Sequence, residues 1–173
     1  MAILDFIEGP AEVTRMIKKC ITSEMTPDGL LSDVETFVPS YRMDEILDEP
    51  LIWLFEHETT SAEGKSGSLS GKLLLATPYE FVCVVYDDDD IEEAEIDSKK
   101  LACKIAVCVG NNLRRLNENK DIVLNNIKFD ALYPVGTVSV QGKSEKAPAT
   151  SIRLIVEYYV DWSMCCKKKI KGD

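Results

Sequence analysis

The hydrophobic period of this chain changes between residues 78 and 116, and this change constrains the fold more than any other feature. The segment PYEFVCVVY, residues 78–86, is a nearly continuous apolar run, which is typical of a buried strand. After an acidic stretch, apolar residues recur at three- and four-residue steps, as in an amphipathic helix. That helical stripe consists of Leu101, Ile105, Cys108 or Val109, Leu113 and Leu116. The change of period predicts a domain in which a long helix, residues 92–117, packs on a sheet.

The acidic stretch that begins at Asp87 lies where the period changes, and it allows two interpretations. A calcium loop is excluded because the stretch contains no glycine. A two-metal nuclease needs acids from separate strands, and Glu80, Asp87 and Glu157 could converge, although their spacing does not require it. Acids at a helix start are stabilised by the free N–H groups there, and Asp90 or Asp97 can cap the helix. We therefore predict a strand-to-helix junction that binds no divalent metal.

Two segments before this junction predict a helix and a hairpin. The helix is expected to begin at Pro10, in its first turn, with Val13, Ile17 and Cys20 or Ile21 as its apolar stripe. The segment LIWLFEHE, residues 51–58, is apolar on both faces and reads as a strand. A Gly- and Ser-rich connection joins it to a second long strand, which predicts an antiparallel hairpin with a bend or bulge at Pro78.

Two segments after the long helix alternate with the period of a strand. Ile127, Phe129, Ala131 and Tyr133 are expected to share one face of the first strand. The last strand, residues 152–162, places Ile152, Leu154, Val156, Tyr158, Val160 and Trp162 on one face. The connections 59–70 and 141–150 are rich in small and polar residues, so we expect them to be mobile until the protein assembles.

These patterns predict an α+β fold with a mainly antiparallel sheet and a long helix packed on it. The predicted order is helix, strand, strand, helix, strand, strand. For 173 residues we expect one domain over residues 1–162, followed by a basic flexible tail over residues 163–173.

Composition argues against several classes of protein. The net charge of −10 disfavours general nucleic-acid binding, which needs a basic surface. No apolar run reaches the roughly 20 residues of a membrane-spanning helix. The six cysteines include no CxxC pair, and several lie in apolar patterns, so we expect free thiols in a reducing cytosol.

The sequence contains no convincing catalytic motif. His57 is the only histidine, and no nucleophile signature accompanies it, so we interpret it as a polar residue at a strand end. The GKSGS segment lacks the first glycine of a phosphate-binding loop and leads into a strand. Cys165 and Cys166 precede a run of lysines, which could suggest lipidation, but a solvated basic tail is the preferred interpretation.

The order of these patterns resembles the tail-terminator, or tail-completion, proteins of tailed bacteriophages and phage-tail-like particles. EPLIWLFEHE is similar to the family's first strand with its Pro-x-x-Trp pattern, and PYEFVCVVYDDDD is similar to the second. SKKLACKIAVCVGNNLRRL looks like the long helix that packs across the sheet. FDALYPVGTVSV, followed by SIRLIVEYYVDW, is similar to the closing strand pair. The likeness covers roughly residues 1–162 in order of elements.

The resemblance implies a structural virion protein, with no catalysis, cofactor or metal. Such proteins form hexameric rings that end the growth of the tail tube and offer a docking surface to the head, neck or collar. The implied partners are further copies of the chain, the tail tube protein, the sheath as a further candidate, and a neck or collar protein. Assembly would take place in the host cytoplasm. The candidate assembly contacts are His57, Lys65, Lys143, Lys146, Lys167 and Lys168.

Three alternatives stay open. The chain could be a neck or head-completion protein, a metal-dependent nuclease that uses the region of Asp87, or a small adaptor in a host pathway.

Overall fold

The computed structural model describes residues 2–39, 50–62, 72–87, 89–117, 122–139 and 146–161. These residues form two helices and one six-stranded sheet. The helices are α1 (Ala2–Glu24) and α2 (Ile91–Asn112). The strands are β1 (Thr36–Val38), β2 (Leu51–Glu56), β3 (Thr60–Ser61), β4 (Lys72–Val84), β5 (Ile122–Ser139) and β6 (Lys146–Asp161).

The strands are ordered β1-β2-β4-β6-β5 across the sheet, and β3 pairs with β4 beyond the end of β2. The β1–β2 pair is parallel, whereas the β2–β4, β4–β6 and β5–β6 pairs are antiparallel. The centre of the sheet is therefore β4 and β6, whose ladder extends from Lys72↔Asp161 to Val84↔Ala149. One edge consists of the short strands β1 and β3, and the other is the 18-residue strand β5.

The predicted fold class and element order are wrong. The structure is a mixed α/β arrangement with a parallel strand pair, and it contains two strands, β1 and β3, that the prediction lacks. These strands have three and two residues, so neither is long enough to show an alternating pattern of its own. Each forms because a longer neighbour offers unpaired backbone groups, which is a tertiary effect.

The main core lies between the two helices and one face of the sheet, which we call the helix face. Its buried side chains include the predicted stripe of α1, that of α2 except the partly buried Leu116, and the predicted inner face of β6 up to Val160; Trp162 lies outside the described residues. Ile52 and Leu54 of β2 and Phe81 of β4 complete this layer. The face assignments of β2, α2 and β6 are confirmed for the described residues, since their inward side chains are almost entirely buried.

The helix α1 begins earlier than predicted. It begins at Ala2 and includes Pro10 in its interior, so the prediction that Pro10 starts the helix is wrong. Gly9 lies close to the sheet, because a Cβ atom there would lie 2.9 Å from Cγ2 of Val160. Thr14 then bonds to the sheet: its Oγ1 is 2.8 Å from Oε2 of Glu56 in β2 and 2.9 Å from the hydroxyl of Tyr79 in β4.

The opposite face of the sheet, which we call the open face, has a smaller apolar cluster at one end. Its buried members are Val38, Leu51, Trp53, Val82, Val84, Ala147 and Ala149. Ile155 and Tyr159 of β6 also lie on this face and are half-buried. Neither helix lies on this face, because both helices contribute to the other cluster.

The strands β5 and β6 are longer than predicted. Residues 146–150 belong to β6 and residues 60–61 to β3, so the expected mobile connections are wrong at those positions. The rest of both connections, residues 63–70 and 141–145, lies outside the described residues, as does the tail.

Pro78 forms no bulge, since the β4–β6 register is continuous through it. The register shifts lie in β5 instead, at Asn125, Asp130 and Val135.

Candidate interaction surface

Strand β5 concentrates exposed apolar side chains at the edge of the sheet. Phe129 is 62% exposed, the largest value among the exposed apolar residues that the structure describes. Four further residues of β5 belong to the same group: Val123, Leu132, Tyr133 and Val135. The others, Leu30, Ile91, Ile96 and Val107, lie elsewhere. Contiguous exposed apolar surface on a soluble protein usually marks an interaction site.

Because β5 is an edge strand, unpaired backbone groups lie beside its exposed apolar side chains. An 18-residue strand is about 60 Å long, and β5 has a neighbour on one side only. The unpaired N–H and C=O groups of an edge strand can pair with another chain. The opposite edge is formed by strands of three and two residues, which natural sheets use to prevent such pairing. We call the exposed apolar residues of β5 and its unpaired edge the β5 surface.

Bulges divide the β5 surface into short segments. Register shifts occur between Leu124 and Asn126, between Phe129 and Ala131, and between Pro134 and Gly136. Gly136 has a φ of 108°, a conformation that favours glycine, and Pro134 has no N–H to donate. Each bulge interrupts the row of backbone groups, so a long uninterrupted strand pairing is not available here. This edge therefore exposes chiefly side chains, and not a continuous row of backbone groups.

The bulge at Asp130 also decides which face of the sheet each β5 side chain occupies. Phe129 pairs with Leu154 and lies on the helix face, whereas Ala131 pairs with Arg153 and lies on the open face. The predicted common face for Phe129 and Tyr133 is wrong, because one extra residue reverses the alternation. Phe129 and Leu132 are consequently exposed beside the helical layer, and Tyr133 lies on the open face.

A polar cluster on the open face connects the β5 surface to the middle of the sheet. Its centre is the carboxylate of Glu80 in β4. Oε1 of Glu80 accepts hydrogen bonds from the hydroxyls of Tyr133 at 2.6 Å and Ser151 at 2.7 Å. Oε2 of Glu80 is 2.8 Å from Nε2 of His57. The side chain of Glu80 thus joins β5, β6 and the end of β2 across β4.

The cluster favours the ionised form of Glu80. Partial burial of the carboxylate opposes ionisation, but the hydrogen bonds from Tyr133, Ser151 and His57 outweigh it and lower the pKa of Glu80. The same contact raises the pKa of Tyr133, because its phenol donates to a negative group. Tyr133 is therefore held as a neutral donor at the rim of the β5 surface.

The geometry of this cluster is not that of a nucleophile activated by a base. The hydroxyl of Ser151 donates to Glu80, and His57 also bonds to Glu80. A catalytic serine would instead bond to the histidine. The arrangement orients His57 and Tyr133 and ties four strands together.

Ion pairs beside the cluster neutralise charge along β5. Lys128 of β5 pairs with Glu157 of β6, and Arg153 of β6 pairs with Asp130 at the central bulge. Glu157 also accepts a hydrogen bond from the amide of Asn125. The charged groups on both sides of Phe129 therefore have partners within the same subunit, which leaves the β5 surface mainly apolar.

Two of the six predicted assembly contacts, His57 and Lys146, belong to the part of the chain that the structure describes. His57 belongs to the Glu80 cluster, and its side chain is 40% exposed. Lys146 is exposed at the start of β6, opposite Ser139 at the end of β5. Lys65, Lys143, Lys167 and Lys168 lie outside the described residues.

The acidic stretch forms the predicted junction. The side chain of Asp90 is the N-cap of α2 and accepts hydrogen bonds from the backbone N–H groups of Glu92 and Glu93. Oδ1 of Asp87 accepts from the N–H of Asp89. Glu80 and Glu157 bond within the separate contacts described above. Among the residues that the structure describes, no group of three or more His, Cys, Asp or Glu side chains is arranged to hold a metal ion.

Three of the four described cysteines are buried as free thiols. Burial raises the pKa of Cys20 to about 12 and that of Cys108 to about 11, and it also raises the pKa of Cys83. Thiols with such pKa values are poor nucleophiles at neutral pH. Cys103, on α2, is exposed.

Comparisons with known proteins leave the family open. A scan against known protein families finds no match, and a search of curated proteins finds none either. Within the described part of the chain, neither helix is long and apolar enough to cross a membrane.

The sequence patterns predict neither Glu80 as the centre of a cluster nor Leu132 as an exposed apolar residue. Glu80 had a weak signal, since it is the only acid inside the apolar run of residues 78–86. The sequence carries no signal for the exposure of Leu132, because this exposure depends on β5 being an edge strand with a bulge.

Proposed function

We propose that this chain is a structural subunit that assembles through its β5 surface and has no catalytic role. One observation carries the proposal: of the nine large apolar residues that are exposed in the described part of the chain, five lie on one long edge strand, with Phe129 and Leu132 beside the helical layer. Exposed apolar side chains gathered on one strand promote association unless a partner covers them. Burial of these side chains against a partner would stabilise the complex by the hydrophobic effect.

We further propose that the assembly is a ring, with six subunits as the expected number, that caps a tail tube. The resemblance of EPLIWLFEHE and SKKLACKIAVCVGNNLRRL to tail-terminator proteins supports this part. The asymmetry of the sheet also supports it. The two edges differ in length, so a contact between the β5 surface of one subunit and the other edge of the next would be head-to-tail, and head-to-tail contacts close into a ring when the rotation between subunits closes.

The proposed partners are further copies of this chain, the tail tube protein and a neck or collar protein. Contacts between ring subunits can be weak in the free protein and become effective on the tube, because a template holds several subunits at high local concentration. The protein would therefore be part of a virion tail or tail-like particle.

Deletion of the gene from its locus, followed by electron microscopy of the particles, tests the proposed role. Loss of a tail terminator should give tubes of irregular length without heads or caps. Tails of normal length with a defect confined to filled heads would favour the neck or head-completion alternative. Normal particles would contradict both structural roles and leave the host-adaptor alternative.

A further inference from the structure

The outermost ridge of α2 is apolar, although it points away from the sheet. Leu101, Ile105, Cys108 and Val109 face the core. The opposite side of the same helix contains Ile96, which is 45% exposed, and Val107, which is 51% exposed. Exposed Cys103 lies between them, and Gly110 follows, where an added Cβ would meet no atom within 4 Å. We call these four residues the α2 ridge.

The spacing of the α2 ridge suits packing against another helix. Ile96, Cys103 and Gly110 are separated by seven residues, which is close to two helical turns, and Val107 is in line with Ile96 after about three turns. An ordinary surface helix would carry charged residues on this side. Charged residues flank the ridge instead: Lys99 pairs with Glu95, and Lys100 pairs with Glu93 and Asp97.

The two ends of the helix have opposite charge. Exposed Glu92, Glu93 and Glu95 lie towards the beginning of α2, whereas the exposed charged residues just after its end are Arg114 and Arg115. Glu92 and Arg114 form no ion pair among the described residues. Nη2 of Arg114 donates to the carbonyl oxygen of Asn125.

We infer that the α2 ridge is a self-association surface on which two copies of this chain pair their α2 helices antiparallel about a two-fold axis near Cys103. Ile96 lies seven residues before Cys103 and Gly110 seven residues after it, so Ile96 of one copy packs over Gly110 of the other. Glu92 lies 11 residues before Cys103 and Arg114 lies 11 residues after it. Glu92 of one copy therefore faces Arg114 of the other, and this contact occurs twice in the dimer.

Charge complementarity selects a second copy of this chain in the antiparallel direction. A parallel pair would place the acidic ends together and would also align the two helix dipoles. The contact goes beyond the proposed ring, because a two-fold contact pairs identical surfaces whereas a ring contact is head-to-tail. It can join two free subunits or two rings.

Disulfide cross-linking at Cys103 tests the inference. The full chain with Cys165→Ser and Cys166→Ser is treated with copper phenanthroline, and dimers are measured on non-reducing gels. We expect a dimer linked through Cys103. The matched control carries Cys103→Ser and Thr22→Cys, which places an exposed cysteine on α1 instead. Equal cross-linking in that control would overturn the inference, because it would indicate random collision.

A charge reversal tests the antiparallel register. Glu92→Arg places two like-charged pairs in the dimer, as does Arg114→Glu, and each should reduce the initial cross-linking rate about tenfold at low salt. The double variant restores opposite charges and should recover the rate. Failure of the double variant to recover, with thermal melts equal to that of the parent, would overturn the pairing. A dimer detected by mass that does not cross-link at Cys103 would overturn it as well. Ring formation on a tail tube is a separate measurement, so either proposal can fail alone.

Discussion

At the scale of single residues, Glu80 shows how a polar side chain organises one face of the sheet. Its carboxylate receives hydrogen bonds from residues on three other strands or strand ends. Each bond to a charged group contributes more than a bond between neutral groups. The cluster therefore fixes the orientation of Tyr133 in the β5 surface and of His57 at the end of β2.

Replacing Glu80 with Gln should reduce the free energy of unfolding at neutral pH by about 1–3 kcal/mol, because a charged acceptor of three hydrogen bonds is lost. The folded-state pKa of Glu80 is below its ordinary value of 4.5, so its contribution is present above that value and is lost as the pH falls through the folded-state pKa. Denaturant unfolding from pH 7 to pH 3 measures this. The variant should lose less stability than the parent below about pH 4.5. Glu95→Gln, at an exposed helical position, is the control. An identical pH dependence in the Glu80 variant and the parent would contradict the assignment.

The N-cap at Asp90 predicts a separate pair of results. Asp90→Ala should destabilise the protein by about 1 kcal/mol, because two backbone N–H groups of α2 lose their acceptor. Asp89→Ala, one position earlier, should have little effect.

Calorimetry with Mg²⁺, Mn²⁺ and Ca²⁺ should detect no tight site in the parent protein. A micromolar site that disappears in Asp87→Asn would support the nuclease alternative instead.

At the scale of elements, α2 has two apolar sides with different roles. The inner side belongs to the main core and includes Ile105, which is fully buried. The outer side is the α2 ridge. Both sides of α2 carry apolar residues, so the burial of the side chains, and not their hydrophobicity, distinguishes the inner side from the α2 ridge.

This difference predicts opposite outcomes for one substitution at two positions of α2. Ile105→Asp should reduce the free energy of unfolding by at least about 3 kcal/mol, because it buries an unpaired charge. Val107→Asp should change it by no more than about 0.5 kcal/mol, because that side chain is half in solvent. Thermal and denaturant melts of the two variants measure this. Equal melts for the Ile105 variant and the parent would contradict the packing of α2 on the sheet.

At the scale of the whole molecule, the sheet has one edge made of the short strands β1 and β3 and one long edge with exposed apolar side chains. Residues that stabilise the fold and residues that another subunit could contact therefore lie at different places in the sheet. The β5 surface belongs to the second group, since Phe129 and Leu132 are exposed in the single chain.

The double variant Phe129→Ser, Leu132→Ser should therefore fold normally but fail to assemble. Its melting temperature should stay close to that of the parent, because surface substitutions usually change stability by less than about 0.5 kcal/mol. Mass photometry of the protein mixed with tail tubes measures assembly, and the double variant should bind in fewer copies. Leu30→Ser, another exposed apolar position outside β5, is the matched control. Assembly by the double variant at the parental level would contradict the role of the β5 surface.

The sequence by itself determined the elements whose side chains alternate in and out of the core. The stripes of α1 and α2, both faces of β2 and the inner face of β6 could be read directly, because burial imposes a period of 3.6 or 2 on apolar residues. The N-cap at Asp90 was also readable, since it depends only on neighbours in the chain. Its helix start therefore required no knowledge of the sheet.

Only the tertiary structure decided the features that depend on neighbours distant in sequence. Strands β1 and β3 exist because β2 and β4 offer them backbone partners. The bulge at Asp130 separates Phe129 from Tyr133 because the register against β6 shifts by one residue there. Glu80 bonds to several segments because the ladder places β4 beside β6, and Tyr133 of β5 lies on the other side of β6. A local pattern cannot contain this information, since each of these contacts joins segments that meet only when the sheet forms.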